Sequence, residues 1–260
     1  NLNDISLRAL NILKNVSLVA CEDTRQTKKL MNRFEIRNKL ISFNKHNSLK
    51  KIPEIINNLR DGMSIAVVSD AGMPNICDPG EDLVSYAKSN EIDIICIPGA
   101  CAAIAALVSS GFPSSKFIFE GFLPKKKKER KEILLEISEN VKTTILFESP
   151  HRFKKLLNEL KEYCGGEREI NVSREITKKF EAHVSDSIDS LIEFFNDKEI
   201  IGEITIVIKG LNKFKNDKIN KIQIKKELDE LINAGLSVSA ASKYLAKKKN
   251  LTKGIIYDLY

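Results

Sequence analysis

Short apolar runs alternate with helix-forming stretches through the first 112 residues, and this alternation limits the possible folds more than any other feature. The runs are VSLVACE, KLISFNK, MSIAVVSD and IDIICIPG. Strands connected by crossover helices lie parallel in one sheet, so the spacing predicts a mostly parallel sheet with helices on its faces. The third run, residues 63–70, is apolar enough to predict a strand buried on both faces.

The sequence predicts three structural parts. A turn-rich segment at 111–115, GFPSS, ends the first alternation, and a second set of strands and helices continues to residue 210. We therefore expect α/β domains at 1–112 and 113–210, the second with a mixed sheet. A polar linker at 211–220 precedes three short helical patterns at 221–260, whose spacing is that of a helix–turn–helix. The same pattern also fits a plain three-helix packing domain.

Positive charge is concentrated at the end of the chain. The formal net charge is +7, and residues 211–260 carry eleven lysines against five acidic residues. A near-neutral body with a basic tail indicates a polyanionic partner, although a generally lysine-rich composition explains the same numbers. No apolar run reaches the roughly 18 residues of a membrane span. The five cysteines form no C-x-x-C pair, so we expect reduced thiols in a cytoplasmic protein and no metal site.

The stretch VVSDAGMPNICDPGEDL, residues 67–83, follows the third predicted strand and does not match a phosphate loop. It contains neither G-x-x-x-x-G-K-[ST] nor G-x-G-x-x-G, and it has no lysine or arginine. Asp70, Asp78 and the small residues between them favour a ligand that is neutral or cationic and that bonds to the backbone. Asp70 is the predicted ligand-side carboxylate. Asp78, directly before Pro79, is predicted to cap the next helix.

Seven segments in order resemble the tetrapyrrole-methylase superfamily. They are VACEDTRQTKKLMNRFEI, SFNKHN, VVSDAGMPNICDPG, IPGACAAIAALVSSGFP, FIFEGFLP, FESPHRF and REITKKFEAHV. The resemblance covers about residues 1–210 and is strongest to the branch that methylates a cytidine ribose 2′-hydroxyl in the decoding region of 16S rRNA. It implies two α/β domains with a cofactor cleft between them, followed by a small C-terminal all-helical, helix–turn–helix-like domain. Family members begin with one further strand and loop, so we expect that strand upstream of Asn1.

The resemblance also implies S-adenosylmethionine as cofactor, the small ribosomal subunit as partner, and a homodimer. Carried over by position, the predicted cofactor residues are Asp70, Ala71, Gly72, Ile76, Cys77, Ala102, Ala103 and Phe147. Met73 and Asn75 depart from the residues that the family usually has there. A sulfonium donor with an amino-acid tail agrees with a loop that offers carboxylate and backbone groups and no phosphate cradle.

Methyl transfer to a hydroxyl requires alignment of the reacting atoms and a group that takes the proton. The catalytic candidates next to the predicted cleft are Asp23, Arg25, Glu148 and Glu175. Each carboxylate also has a structural interpretation, as a cap or an ion-pair partner, and Asp23 with Gln26 fits the capping pattern of a helix that runs to Phe34. The residues predicted to contact RNA phosphates are Lys45, Lys125, Lys126, Lys127, Lys178, Lys247, Lys248 and Lys249.

Two other functions remain open from the residues. One is a methyltransferase acting on a small tetrapyrrole, the other large substrate class of the superfamily. The basic tail argues against it, because a small ring substrate has no evident use for one. The other is a non-catalytic RNA-binding protein with a degenerate pocket, and the intact cofactor loops argue against that.

Overall fold

The computed structural model of the chain describes residues 1–211, 224–249 and 253–260, and the chain divides into two compact units, 1–209 and 210–260. The first unit contains both β-sheets. The predicted boundary near residue 112 lies between the two sheets and stays a prediction, and the predicted linker falls mostly outside the described residues. Among the described helices, none is long and apolar enough to cross a membrane.

The first sheet has three parallel strands in the order β2–β1–β3. They are β1 (Leu18–Cys21), β2 (Leu40–Ser42) and β3 (Ile65–Val68), and the helices of this half are α1 (Leu7–Asn15), α2 (Thr24–Arg33), α3 (Ser48–Arg60), α4 (Glu81–Ser89) and α5 (Ala102–Ser110). The central strand β1 is buried along its whole length because it has a strand on each side and helices above and below. The predicted parallel sheet is therefore confirmed for its first three strands.

The fourth predicted strand, IDIICIPG, is wrong. Residues 92–101 form neither a helix nor a strand, and the side chain of Ile95 is 77% exposed. A strand needs a neighbour that pairs its backbone N–H and C=O groups, and apolar composition does not supply one. Within the described part of the chain, β3 pairs only with β1, so β3 is an edge strand and is half-buried instead of buried on both faces.

The second sheet is mixed, as predicted, with the strand order β4–β5–β8–β6–β7. Its strands are β4 (Phe117–Phe122), β5 (Thr143–Glu148), β6 (Glu169–Arg174), β7 (Ala182–Ser187) and β8 (Ile204–Ile208), and its helices are α6 (Lys127–Glu139), α7 (Pro150–Cys164) and α8 (Ile188–Phe195). Only β4 and β5 are parallel, and the other neighbours are antiparallel. One large apolar cluster joins the three helices to one face of this sheet. The α/β fold class is confirmed.

The second unit is helical where it is described. Its helices are α9 (residues 224–233), α10 (Val238–Lys249) and α11 (Lys253–Tyr257). They share a small core that includes Leu228, Ala241 and Leu245. The alternation of buried and exposed pairs along α10 places its apolar side toward α9 and α11 and leaves Lys243, Lys247 and Lys248 in solvent.

A buried ion network connects α6, β5 and α7. The guanidinium of Arg130 donates to Glu159 at 2.6 and 2.8 Å and lies 3.6 Å from the carboxylate of Glu148. Arg152 contacts the other oxygen of Glu148 at 2.6 Å. The side chain of Glu148 has no exposed surface, so its charge depends on these two arginines.

Replacing Arg130 with alanine leaves two carboxylates without their shared cation. We expect Arg130→Ala to lower the free energy of unfolding by about 3–5 kcal/mol, measured by urea unfolding. Lys126→Ala is the matched control, since Lys126 pairs with Glu129 on the surface of the same region and should cost about 0.5 kcal/mol. Similar losses in the two variants would contradict a stabilising role for the buried network.

Candidate functional site

The loop between β3 and α4, residues 69–80, has an unusual backbone. Gly72, Asn75, Cys77 and Gly80 all have positive φ, and two of these four are not glycine. Left-handed backbone at a non-glycine residue is strained and is held in place by surrounding contacts. Here Ser69 Oγ lies within hydrogen-bond distance of two carbonyl oxygens of the same loop, those of Ala71 and Gly72, at 3.3 and 3.4 Å.

The loop 69–80 contacts two other segments of the same unit. A Cβ added to Gly72 would lie 3.6 Å from the carbonyl oxygen of Ala100, and one added to Gly121 would lie 2.7 Å from Sγ of Cys77. The backbone of Phe122 also forms a hydrogen bond to the Cys77 thiol, whose pKa is raised by burial. Gly121 was not among the predicted site residues. The sequence feature that could have identified it is a glycine inside a strand, which often marks a close approach of another backbone or side chain.

Two predicted cofactor residues share one apolar cluster. Ala103 on α5 is buried against β5 and β8, and Phe147 on β5 packs at the edge of the same cluster. The ring of Phe147 lies 5.0 Å from the ring of Phe119 and 5.7 Å from that of Phe122, between centroids. We call the surface formed by residues 69–80, 99–103, 119–122 and Phe147 the candidate cofactor site.

Asp78 does not have its predicted position at the start of a helix. Helix α4 begins at Glu81, its N-cap is Gly80 at φ 145°, and no side chain caps it. A Cβ on Gly80 would lie 1.9 Å from Oδ1 of Asn75, so this position requires glycine. The helix starts two residues later than predicted because the backbone first makes this left-handed turn. As a result Asp78 stays in the loop with Asp70.

Asp78 is half-buried among other charges. Burial raises the pKa of its carboxyl, and the neighbouring carboxylates of Glu22 and Asp70 raise it further. A hydrogen bond from Ser69 and the charge of Lys45 oppose the shift. Lys45, one of the predicted RNA contacts, donates to the carbonyl oxygen of Cys77 at 2.8 Å and so holds the same loop.

Asp23 has its predicted position as the N-cap of α2, and it also binds Arg25. Its carboxylate accepts from the backbone N–H of Arg25 at 2.8 Å and from the guanidinium at 2.7 to 3.2 Å. These bonds lower the pKa of Asp23 to about 2. The backbone N–H of Asp23 donates to Asp70 at 3.1 Å, so this cap is connected to the loop after β3.

The other two catalytic candidates lie on the second sheet. Glu148 ends β5 inside the ion network, where its Oε1 also accepts from the backbone of Ser149 at 2.7 Å. Glu175 follows β6 with φ 52°, and its Oε1 accepts from the backbone of Glu203 and from Lys178, each at 2.9 Å. These bonds lower the pKa of Glu175, that from Glu203 most. Both carboxylates thus have cationic or backbone partners within their own half.

The remaining predicted lysines lie on exposed surfaces. Lys125, Lys126 and Lys127 are exposed at the start of α6, and Lys126 pairs with Glu129 at 3.0 Å. Lys247 and Lys248 lie on the solvent side of α10, where Lys248 is 3.3 Å from Glu227. The side chain of Lys249 lies outside the described residues.

The contact between Gly121 and Cys77 can be tested against a second glycine that has nearly the same φ but no close neighbour. Gly111 has φ 69° with nothing near a Cβ, whereas Gly121 has φ 64° with Cys77 in contact. We expect Gly111→Ala to cost about 1–2 kcal/mol through backbone strain alone. Gly121→Ala should cost about 1–3 kcal/mol more and weaken S-adenosylmethionine binding about tenfold by calorimetry.

The double variant Gly121→Ala/Cys77→Ala removes the crowding sulfur. It should recover most of the extra stability loss of Gly121→Ala and leave only the strain seen in Gly111→Ala. Equal stability of the two single variants would contradict a tight contact between β4 and the loop.

The raised pKa of Asp78 predicts how stability changes with pH. The charged carboxylate is less stable in the folded chain than in the unfolded chain, so its destabilising effect is absent below pH 3.8 and grows as pH rises through the raised pKa. Asp78→Asn should therefore raise Tm at pH 7 by about 1–3 °C and have no such effect at pH 3. Asp82→Asn, in the first turn of α4, should not raise Tm, because a carboxylate is favourable there.

Solved structures with a similar fold include methyltransferases. A cobalt precorrin-4 methyltransferase superposes with a TM-score of 0.60 at 17% identity, covering 80% of this chain and 90% of that one. A uroporphyrin-III C-methyltransferase from Thermus thermophilus, complexed with S-adenyl homocysteine, gives 0.55 at 14% identity, covering 80% and 91%. At these identities the likeness is one of fold.

Comparison of sequences identifies relatives that share one name. A ribosomal RNA small subunit methyltransferase I from Synechocystis sp. is 39% identical, covering 100% of this chain and 93% of the relative. The Bacillus subtilis protein of the same name is 38% identical, covering 100% and 90%. The sequence-family model of the tetrapyrrole (corrin/porphyrin) methylases matches residues 1–192. The chain belongs to the tetrapyrrole methylase family, in the group of the ribosomal RNA small subunit methyltransferases I.

Proposed function

We propose that this chain transfers a methyl group from S-adenosylmethionine to the ribose 2′-hydroxyl of a cytidine in the decoding region of 16S rRNA. The observation that carries the proposal is the convergence of the strained loop 69–80 with residues 99–103 and β4 at one acidic, backbone-rich site. Relatives at 39% and 38% identity over the full chain are named for rRNA methylation, which supports the substrate class.

The residues of the candidate cofactor site fit S-adenosylmethionine. Asp70 provides a carboxylate for its cationic groups, and Gly72 lets backbone approach closely where a side chain would contact Ala100. The apolar side, with Phe147 and Ala103, suits the non-polar part of the molecule. The residues proposed to hold the cofactor are Asp70, Ala71, Gly72, Ile76, Cys77, Ala102, Ala103 and Phe147. When bound, the cofactor supplies a methyl group activated by the positive sulfur.

The carboxylates near the site differ in their suitability as proton acceptors. With a pKa of about 2, Asp23 is a weak base at neutral pH, and we assign it to positioning Arg25. Glu175 has a lowered pKa as well and holds the turn after β6. Asp78 has a raised pKa and lies in the candidate cofactor site, so we add it to the catalytic candidates as acceptor of the hydroxyl proton. Glu148 anchors the end of β5, directly after Phe147.

The basic second unit supports an RNA substrate. Its lysines on α10 face solvent, and contacts between lysines and phosphates position RNA without reading its sequence. The lysines at the start of α6 offer a second cationic surface. A homodimer, expected from the resemblance, and a cytoplasmic location, expected from the cysteine pattern, are part of the same proposal.

A labelling experiment tests the proposal. The protein is incubated with a methyl-labelled donor and either small ribosomal subunits that lack the modification or a precorrin-type tetrapyrrole. We expect label in 16S rRNA, recovered after alkaline hydrolysis in an alkali-resistant dinucleotide, because a 2′-O-methyl group blocks cleavage of the adjoining phosphodiester. Asp78→Asn should lower kcat by about 10²-fold or more, whereas Asp82→Asn should leave it unchanged.

The other outcomes each identify an alternative. Label in the tetrapyrrole assigns the chain to the small-molecule class. Label in an alkali-sensitive mononucleotide indicates methylation of a base. Binding to the small subunit without cofactor binding or label indicates a non-catalytic RNA-binding protein.

A further inference from the structure

A groove lies beside α2, in the half of the unit that contains the first sheet. Its residues are distant in sequence from the loop 69–80. Its volume is about 650 Å³, and its walls come from α2 and from the segment that leads into β2. The residues that line it are Thr24, Arg25, Lys28, Met31, Asn32, Ile36, Arg37, Asn38 and Leu40. We call it the α2 groove.

The α2 groove is cationic at its rim and apolar at its floor. Arg25, Lys28 and Arg37 are exposed, and none of the lining residues is acidic. Met31 and Ile36 are almost fully buried and form part of the floor. Among the described residues, Lys28 and Arg37 have no ion pair, so both cations are available to a ligand. Unpaired cations in a groove without acidic residues suit a chain of phosphates.

The α2 groove is connected to the candidate cofactor site by a short chain of bonds. Arg25 lies in the wall of the groove and is 86% exposed while it is paired with Asp23. The backbone of Asp23 in turn donates to Asp70 in the loop 69–80. A polyanion in the groove therefore lies beside the loop proposed to hold the methyl donor.

We propose that the α2 groove binds the phosphate backbone of the rRNA strand next to the nucleotide that is methylated, with Lys28 and Arg37 as phosphate contacts. This inference rests on the proposed function and adds a surface to it. The exposed end of Arg25 contacts the part of the RNA strand that lies nearest to the methylated nucleotide. The bonds to Asp23 hold the Arg25 side chain in one orientation. Lys and Arg contacts to phosphate position RNA and make binding depend on salt.

Charge reversal in the groove tests the inference. The variant Lys28→Glu/Arg37→Glu is compared with Lys29→Glu/Lys39→Glu, which changes net charge equally at exposed neighbours that do not line the groove. Filter binding to unmethylated small subunits and the KM for those subunits are measured, with donor binding by calorimetry as a test of folding. We expect the groove variant to bind roughly tenfold or more weakly and the control to change less than about threefold.

Two further measurements separate a phosphate contact from a structural effect. Lys28→Ala/Arg37→Ala should reduce the slope of log affinity against log salt by about 1.4–1.8, as for two lost phosphate contacts. Lys28→Arg/Arg37→Lys keeps both charges and should bind within about threefold of the unmodified protein. Donor affinity should stay the same in both variants.

Equal binding by the groove and control variants would overturn the inference while leaving the proposed function intact, provided that the unmodified protein labels rRNA. An unmodified protein that neither binds nor labels the small subunit would overturn the proposed function and the inference with it. If it binds without labelling, the comparison of variants still tests the groove.

Discussion

The close approach of Cys77 to Gly121 is the contact on which the candidate cofactor site depends. It fixes the loop after the first sheet against a strand of the second, with no room for a side chain at Gly121. The strained backbone at Asn75 and Cys77 persists because contacts from several sides hold the loop in this conformation. Ser69 and Lys45 bond to the same loop from the first half, and Gly121 and Phe122 contact it from the second, so its shape depends on both halves of the first unit.

Charge of opposite sign is separated across a short distance in the first half. The loop 69–80 and Glu22 form an acidic side, which suits a cationic methyl donor. The α2 groove forms a cationic side, which suits RNA. Asp23 lies between them, because its carboxylate binds Arg25 and its backbone binds Asp70. Asp23 thereby orients Arg25 on the cationic side and Asp70 on the acidic side.

Several parts of this structure follow from local chemistry. The three strands β1, β2 and β3 are apolar runs between helix-forming stretches, and Asp23 caps α2 as its position before the helix predicts. The mixed second sheet also follows from its pattern of strands and helices. The two failed predictions have different reasons. The run 92–99 has no described partner strand, which depends on residues distant in sequence. Asp78 stays in the loop because of a local backbone turn in which Asn75 and Gly80 share one small space.

The sequence by itself determined the α/β class, the family and, apart from the run 92–99, the order of the described strands and helices. Those features depend on periodicity, turn residues and short motifs, which are local along the chain. Only the tertiary structure decided which carboxylates lie together, that Glu148 is enclosed by Arg130 and Arg152, and that Lys28 and Arg37 share a groove. These depend on distances between residues far apart in sequence, and a pattern of residue types carries no such distances.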